Sequence, residues 1–75
     1  MASDIFAKRI RELRESKGMG VRQLASELGI GSSSLSNYEN SQREPSVSVC
    51  KLFADYFNVS CDYLIGLTND PYRKG

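Results

Sequence analysis

Apolar side chains recur along this chain with a period near 3.6 residues, and two-residue alternation is hard to find. Phe6, Ile10 and Leu13 fall at i, i+4 and i+7, which predicts a first amphipathic helix from about Asp4 to Lys17. Ser3 or Asp4 is placed to cap its start, and Gly18 to end it in a left-handed turn. Val21, Leu24, Ala25 and Leu28 then match i, i+3, i+4 and i+7, so a short second helix runs to Gly29. A third follows almost at once, over Ser32–Asn40, with Leu35 and Tyr38 as its apolar positions. Serine is a mediocre helix former, so this helix has to be held by packing. After a polar loop over Ser41–Pro45, Ser46 caps a fourth helix with a broad apolar face (Val49, Leu52, Phe53, Tyr56), flanked by Cys50, Ala54 and Phe57. Asn58 and Val59 close it. Ser60 caps a last short helix through Leu64, with Asp62 in its first turn, where the helix dipole favours an acid. Asn69-Asp70-Pro71 ends regular structure. The expectation is an all-α fold of five short helices, residues 1–68, followed by a short C-terminal tail over 69–75 that is basic from Tyr72 to Gly75.

The composition narrows the function. Seventy-five residues with 40% apolar and 25% charged side chains make one small globule, near the size limit at which a single core suffices. Dimerisation would help it. The longest apolar stretch, Tyr63 to Leu67, falls far short of the roughly 20 residues that span a bilayer. No basic region at the start leads into an apolar run, so an intact cytoplasmic chain is expected. Histidine is absent, and Cys50 and Cys61 do not have metal-ligand spacing, which argues against a zinc site. Without histidine the commonest general base is missing too. No phosphate loop, nucleophile elbow or close carboxylate pair replaces it, and five short helices leave little room for a substrate pocket. Neither an enzyme nor a cofactor is expected.

Net charge is only +1, unevenly spread. Residues 1–43 carry seven basic and five acidic groups, and residues 44–75 carry three and four, giving +2 against −1. An anionic partner would therefore meet the N-terminal half, although an ordinary solvated surface accounts for the charges equally well.

The second and third helices, joined by a tight glycine turn, have the spacing of a helix-turn-helix. So short a turn sets the helices steeply, letting the first lie across DNA phosphates while the second enters the major groove. Ser32, Ser33, Ser36 and Asn37 then form an outward face that is short, polar and able to hydrogen-bond. The same spacing fits an αα-hairpin with no nucleic-acid role.

Longer runs decide between these. Ile10-Arg11-Glu12-Leu13-Arg14, Gln23-Leu24-Ala25-Ser26-Glu27-Leu28-Gly29-Ile30 and Leu35-Ser36-Asn37-Tyr38-Glu39-Asn40 stand in order. Pro45-Ser46, Leu52-Phe53-Ala54 and Asn58 to Gly66 extend the series. Over about residues 5–67 the sequence resembles the XRE-type, lambda-repressor-like helix-turn-helix family. The resemblance implies that Ser32, Ser33, Ser36 and Asn37 read base edges of double-stranded DNA. It also implies that Arg22, Asn40, Gln42 and Arg43 hold the sugar-phosphate backbone. Arg14 and Glu39 match an ion pair that ties the first helix to the reading helix; phosphate contact or plain solvation is the competing view of Arg14.

Departures from the family pattern matter as well. Gly20 and Val21 stand where many relatives have a Ser or Thr before a Gln, so one phosphate contact is missing and Val21 is expected to pack inward. Ser41 replaces a common glycine, and a different turn is expected there. The reading face lacks arginine and glutamine; only Asn37 can make a bidentate base contact, so readout should lean on few bases and on DNA shape. A homodimer on an inverted repeat, with reading helices about 34 Å apart, is the geometry expected of this architecture. Tyr63, Leu67 and Tyr72 are its candidate interface, with Phe57 at the edge and Leu64 assigned to the core. Cys50 reads as core and Cys61 as a free, partly buried thiol. A repressor of the phage or mobile-element kind is the leading expectation; a protein-binding module, such as an antitoxin-like partner, is the alternative. No small-molecule site is apparent.

Overall fold

Five helices make up the computed structural model, which describes residues 2–73. They are α1 (Ala2–Ser16), α2 (Val21–Leu28), α3 (Ser32–Glu39), α4 (Val47–Phe57) and α5 (Cys61–Ile65), and no strand occurs among the described residues. No helix among them is long and apolar enough to cross a membrane.

Every helix ends in one kind of local closure. The residue after the last turn takes a left-handed conformation, and the amides of that residue and the next fold back onto the final carbonyls. After α3, for example, Ser41 N donates to Tyr38 O at 3.3 Å and Gln42 N to Asn37 O at 2.9 Å. Gly18, Gly29 and Gly66 hold this position after α1, α2 and α5, while Ser41 (φ 60°) and Asn58 (φ 56°) hold it after α3 and α4. The turn after α3 is therefore arranged as a glycine would arrange it, not differently. Serine bears the left-handed strain because two backbone hydrogen bonds hold it there.

Helix starts are less uniform. Ser46 and Ser60 cap α4 and α5, their side chains accepting from Val49 N and Tyr63 N. Neither Ser3 nor Asp4 caps α1: the helix already includes Ala2, and Ser3 lies inside it, buried. The helix also ends at Ser16, one residue short of the expected Lys17.

Phe6 and Ile10 of α1, Leu24 of α2, Leu35 of α3, Phe53 of α4 and Leu64 of α5 are wholly buried. Phe6, Tyr38 and Phe53 meet edge-to-face with centroids 5.3–6.3 Å apart, locking α1, α3 and α4 together. On α4 the buried stripe is Cys50, Phe53, Ala54 and Phe57; Val49, Leu52 and Tyr56 are only partly buried. The expected apolar face is thus rotated by one position. The reason is that α4 packs against both α5 and α2, which together set the side that is covered. Phe57 belongs to the core and not to the edge of an interface.

Residues 66–73 have no helix but are tied down at several points. Arg9 donates to the carbonyls of Tyr63 and Thr68 and to Asn69 Oδ1, with its guanidinium 4.1 Å from the Tyr63 ring centroid. Ser60 N donates to Pro71 O at 3.1 Å, and Arg73 reaches Ala54 O at 2.9 Å and the Asp55 carboxylate. Lys74 and Gly75, part of the basic tail, lie outside the described residues.

Candidate nucleic-acid interface

The site is built from α2, its turn and α3. Gly29 closes α2 in the left-handed region (φ 74°), and only Ile30 and Gly31 precede α3. A side chain at Gly29 would be strained whatever the space around it, so this glycine sets the angle between the helices. Leu24, Ala25 and Leu28 face Leu35 and Tyr38 across the turn as parts of one core. Val21 packs against that core at the start of α2.

Burial of Leu35 and Tyr38 turns the other side of α3 outward. Ser33 is exposed there, and Ser32, Ser36 and Asn37 are partly exposed. None of these four side chains makes a hydrogen bond within the described residues, so all of their donors and acceptors are free for another molecule. Ser34, partly exposed, shares that end of the helix.

Arg22 on α2 and Asn40, Gln42 and Arg43 beyond α3 are exposed. Arg43 lies over the Tyr38 ring, its guanidinium carbon 5.6 Å from the centroid, which steadies the loop against α3. These residues, on α2 and just beyond α3, supply exposed hydrogen-bonding groups and two cations.

The orientation of α3 is set from α1. Arg14 Nε donates to Glu39 Oε2 at 2.7 Å and Arg14 Nη2 to Glu39 Oε1 at 3.0 Å, a fork-to-fork pair. Arg14 Nη1 also donates to Met19 O at 2.8 Å, so one guanidinium holds the end of α1, the approach to α2 and the end of α3. Glu39 is only 4% exposed, and its hydrogen bonds raise the Arg14 pKa still further above the ordinary guanidinium value. Sequence reasoning missed Arg11. One turn ahead of Arg14 on the same face, it donates to the Glu39 carbonyl, and its Nε lies 3.8 Å from the carboxylate. The i, i+3 spacing of two arginines on a helix facing α3 was the available signal.

A second brace joins α2 to α4, where Tyr56 Oη donates to Glu27 Oε1 at 2.7 Å and lies 3.6 Å from Met19 Sδ. Its acceptor raises the Tyr56 pKa. Of the residues expected at a subunit interface, Leu67 and Tyr72 are 74% and 71% exposed. Tyr63 is partly buried under Arg9. Among the described residues no group of three or more Cys, Asp or Glu side chains could hold a metal ion. An open cavity of about 290 Å³ lies between the loop before α4, the first turn of α4 and α5.

A family described as Helix-turn-helix matches residues 10–64, in agreement with the five-helix, lambda-repressor-like architecture. Three similar proteins come from Bacillus subtilis (strain 168). The uncharacterized HTH-type transcriptional regulator YobD is 36% identical over 70 residues, covering 93% of this chain and 62% of YobD. The HTH-type transcriptional regulator ImmR is 39% identical over 61 residues, covering 81% of this chain and 48% of ImmR. The uncharacterized HTH-type transcriptional regulator YazB is 38% identical over 64 residues, covering 85% of this chain and 93% of YazB. The chain thus spans about half to three-fifths of the length of ImmR and YobD, and nearly all of YazB. No solved structure matches it.

Proposed function

The chain belongs to the helix-turn-helix family, and on that premise we propose that it is a sequence-specific DNA-binding transcriptional regulator, a cytoplasmic repressor that occupies an inverted-repeat operator as a homodimer. The observation that carries this reading is the outward face of α3, whose polar side chains have no partner within the fold although the helix itself is rigidly held. A helix-turn-helix is a binding module and not an enzyme, so repression requires occupancy alone.

In this mechanism α3 lies in the major groove. Ser32, Ser33, Ser36 and Asn37 meet base edges, and Asn37 alone can pair bidentately with adenine. Arg22, Asn40, Gln42 and Arg43 contact sugar and phosphate, setting register and supplying the salt-sensitive part of the affinity. With serines as the other readers, DNA shape and deformability carry much of the specificity. Tyr63, Leu67 and Tyr72 form the surface through which two copies meet. A dimer is needed because one such domain covers only half of a typical operator, and a net charge of +1 adds little nonspecific affinity.

The test is selection of bound duplexes from a random pool at fixed near-physiological salt. An enriched inverted repeat, with half-sites about 10 base pairs apart centre to centre, is the expected result. A folded protein that enriches nothing would overturn the reading.

A further inference from the structure

The two cysteines have no part in the proposed interface, yet the fold brings them together. Cys50 stands in the first turn of α4 and Cys61 at the first position of α5, eleven positions later in the chain. Both are free thiols; Cys50 is buried and Cys61 partly exposed. Both line the cavity of about 290 Å³, with Pro45, Val47 and Ile65 providing apolar lining and Glu44 a carboxylate. Val47 is 87% exposed, so small molecules have access from that side. Burial pushes the Cys50 thiol up to about 11, and the Cys61 thiol, its charge and hydrogen-bond neighbour, adds to the rise. Two thiols lining the same open apolar cavity differ chemically from an isolated core cysteine.

We propose that Cys50 and Cys61 are an oxidant-responsive dithiol, closed to an intramolecular disulfide by an organic hydroperoxide whose apolar substituent occupies the cavity. Cys61 is the first nucleophile, because it is the partly exposed thiol that a peroxide in the cavity can reach, whereas Cys50 is buried. The Cys61 thiolate attacks the terminal peroxide oxygen and the O–O bond breaks. The alkoxide takes up a proton and leaves as alcohol, and Cys61 becomes a sulfenic acid. Cys50 sulfur then attacks Cys61 sulfur, the S–O bond breaks, and hydroxide combines with the Cys50 proton as water. The two thiols lose two electrons in all, and the peroxide gains them. Apolar lining selects an organic substituent over hydrogen peroxide, and the Glu44 carboxylate disfavours anionic oxidants. The pairing stands independently of whether α3 reads DNA.

The test uses the full reduced chain, treated with cumene hydroperoxide or hydrogen peroxide, then denatured, alkylated and weighed intact. The expected product has lost two hydrogens, takes up no alkylating reagent, migrates as a single chain without reductant, and yields a Cys50–Cys61 cross-linked peptide. Cumene hydroperoxide should exceed hydrogen peroxide in rate by several-fold more than it does with a cysteine-containing peptide. Cys50→Ser should stop at a sulfenic acid trapped by dimedone, and Cys61→Ser should keep the Cys50 thiol. Circular dichroism verifies the fold of both variants; should either fail to fold, the cross-link and rate ratio in the unsubstituted chain decide. Full alkylation of both thiols after treatment, a disulfide between two chains, or no preference for the organic peroxide would overturn the proposal.

Discussion

Replacing Glu39 by alanine removes the acceptor of a fork-to-fork pair and leaves the Arg14 guanidinium, its side chain 13% exposed, with the Met19 carbonyl as its remaining partner. Breaking one partner of a buried pair costs about 3–5 kcal/mol, because the stranded charge is only poorly rehydrated. A domain of 75 residues is stable by only about 4–11 kcal/mol, so this one substitution removes a large share of the total. At about 4–8 °C per kcal/mol the midpoint of thermal unfolding should fall by about 12 °C or more. Arg14→Met should be costly for the same reason, since Arg11 at 3.8 Å is a poor substitute partner for the Glu39 carboxylate. The double variant Arg14→Met/Glu39→Ala leaves no charge stranded and should recover much of the loss. Urea unfolding followed by circular dichroism on the four proteins gives the coupling energy, expected at about 2 kcal/mol or more. If Glu39→Ala costs less than about 1 kcal/mol, the value of an exposed pair, the assignment of a positioning pair is wrong. Should the double variant be stable yet bind operator DNA poorly, the pair's role lies in presenting α3 and not only in holding it.

Other outcomes follow from the same geometry. Asn37→Ala should relax base choice at one position per half-site, read by repeating the duplex selection, whereas Arg43→Ala should weaken all sequences alike and flatten the salt dependence of binding. Ser41→Gly should raise stability by about 0.5–1 kcal/mol in urea unfolding, since glycine takes φ 60° without a side-chain clash; a loss would mean that the serine side chain stabilises the turn. The Tyr56–Glu27 bond raises the phenol pKa in the folded state, so its contribution is complete below the ordinary tyrosine value and fades as pH rises through the folded one. Ultraviolet phenolate titration, differenced against Tyr56→Phe, should show that midpoint fall in Glu27→Gln; an unmoved midpoint refutes the bond. Leu67→Glu should shift any dimer toward monomer in sedimentation while leaving the thermal midpoint of the monomer unchanged, because Leu67 packs on little of its own chain.

Much of this protein was legible in its sequence because the determinants are local. Helix existence follows from apolar residues three and four positions apart, and helix ends follow from residues that tolerate a left-handed turn or cap an amide. That is why α2, its glycine turn and the polar face of α3 could be placed without coordinates. The base-reading and phosphate assignments came from family resemblance and remain proposals, since side chains awaiting a partner leave no mark on the fold.

What required the tertiary structure was contact between residues far apart in the chain. Spacing alone marks an apolar stripe on α4 but not its centre, which depends on how α2 and α5 pack against it. Ser41 shows the same dependence: a residue-type argument expects a different turn, and the hydrogen bonds of Gln42 and Ser41 impose the glycine-like one. Arg9 holding residues 63–69, Arg73 returning to Asp55, and Cys50 lying beside Cys61 were equally invisible. Periodicity constrains what each helix buries. Which side chains meet across helices is decided by packing angles, and these depend on all five helices at once.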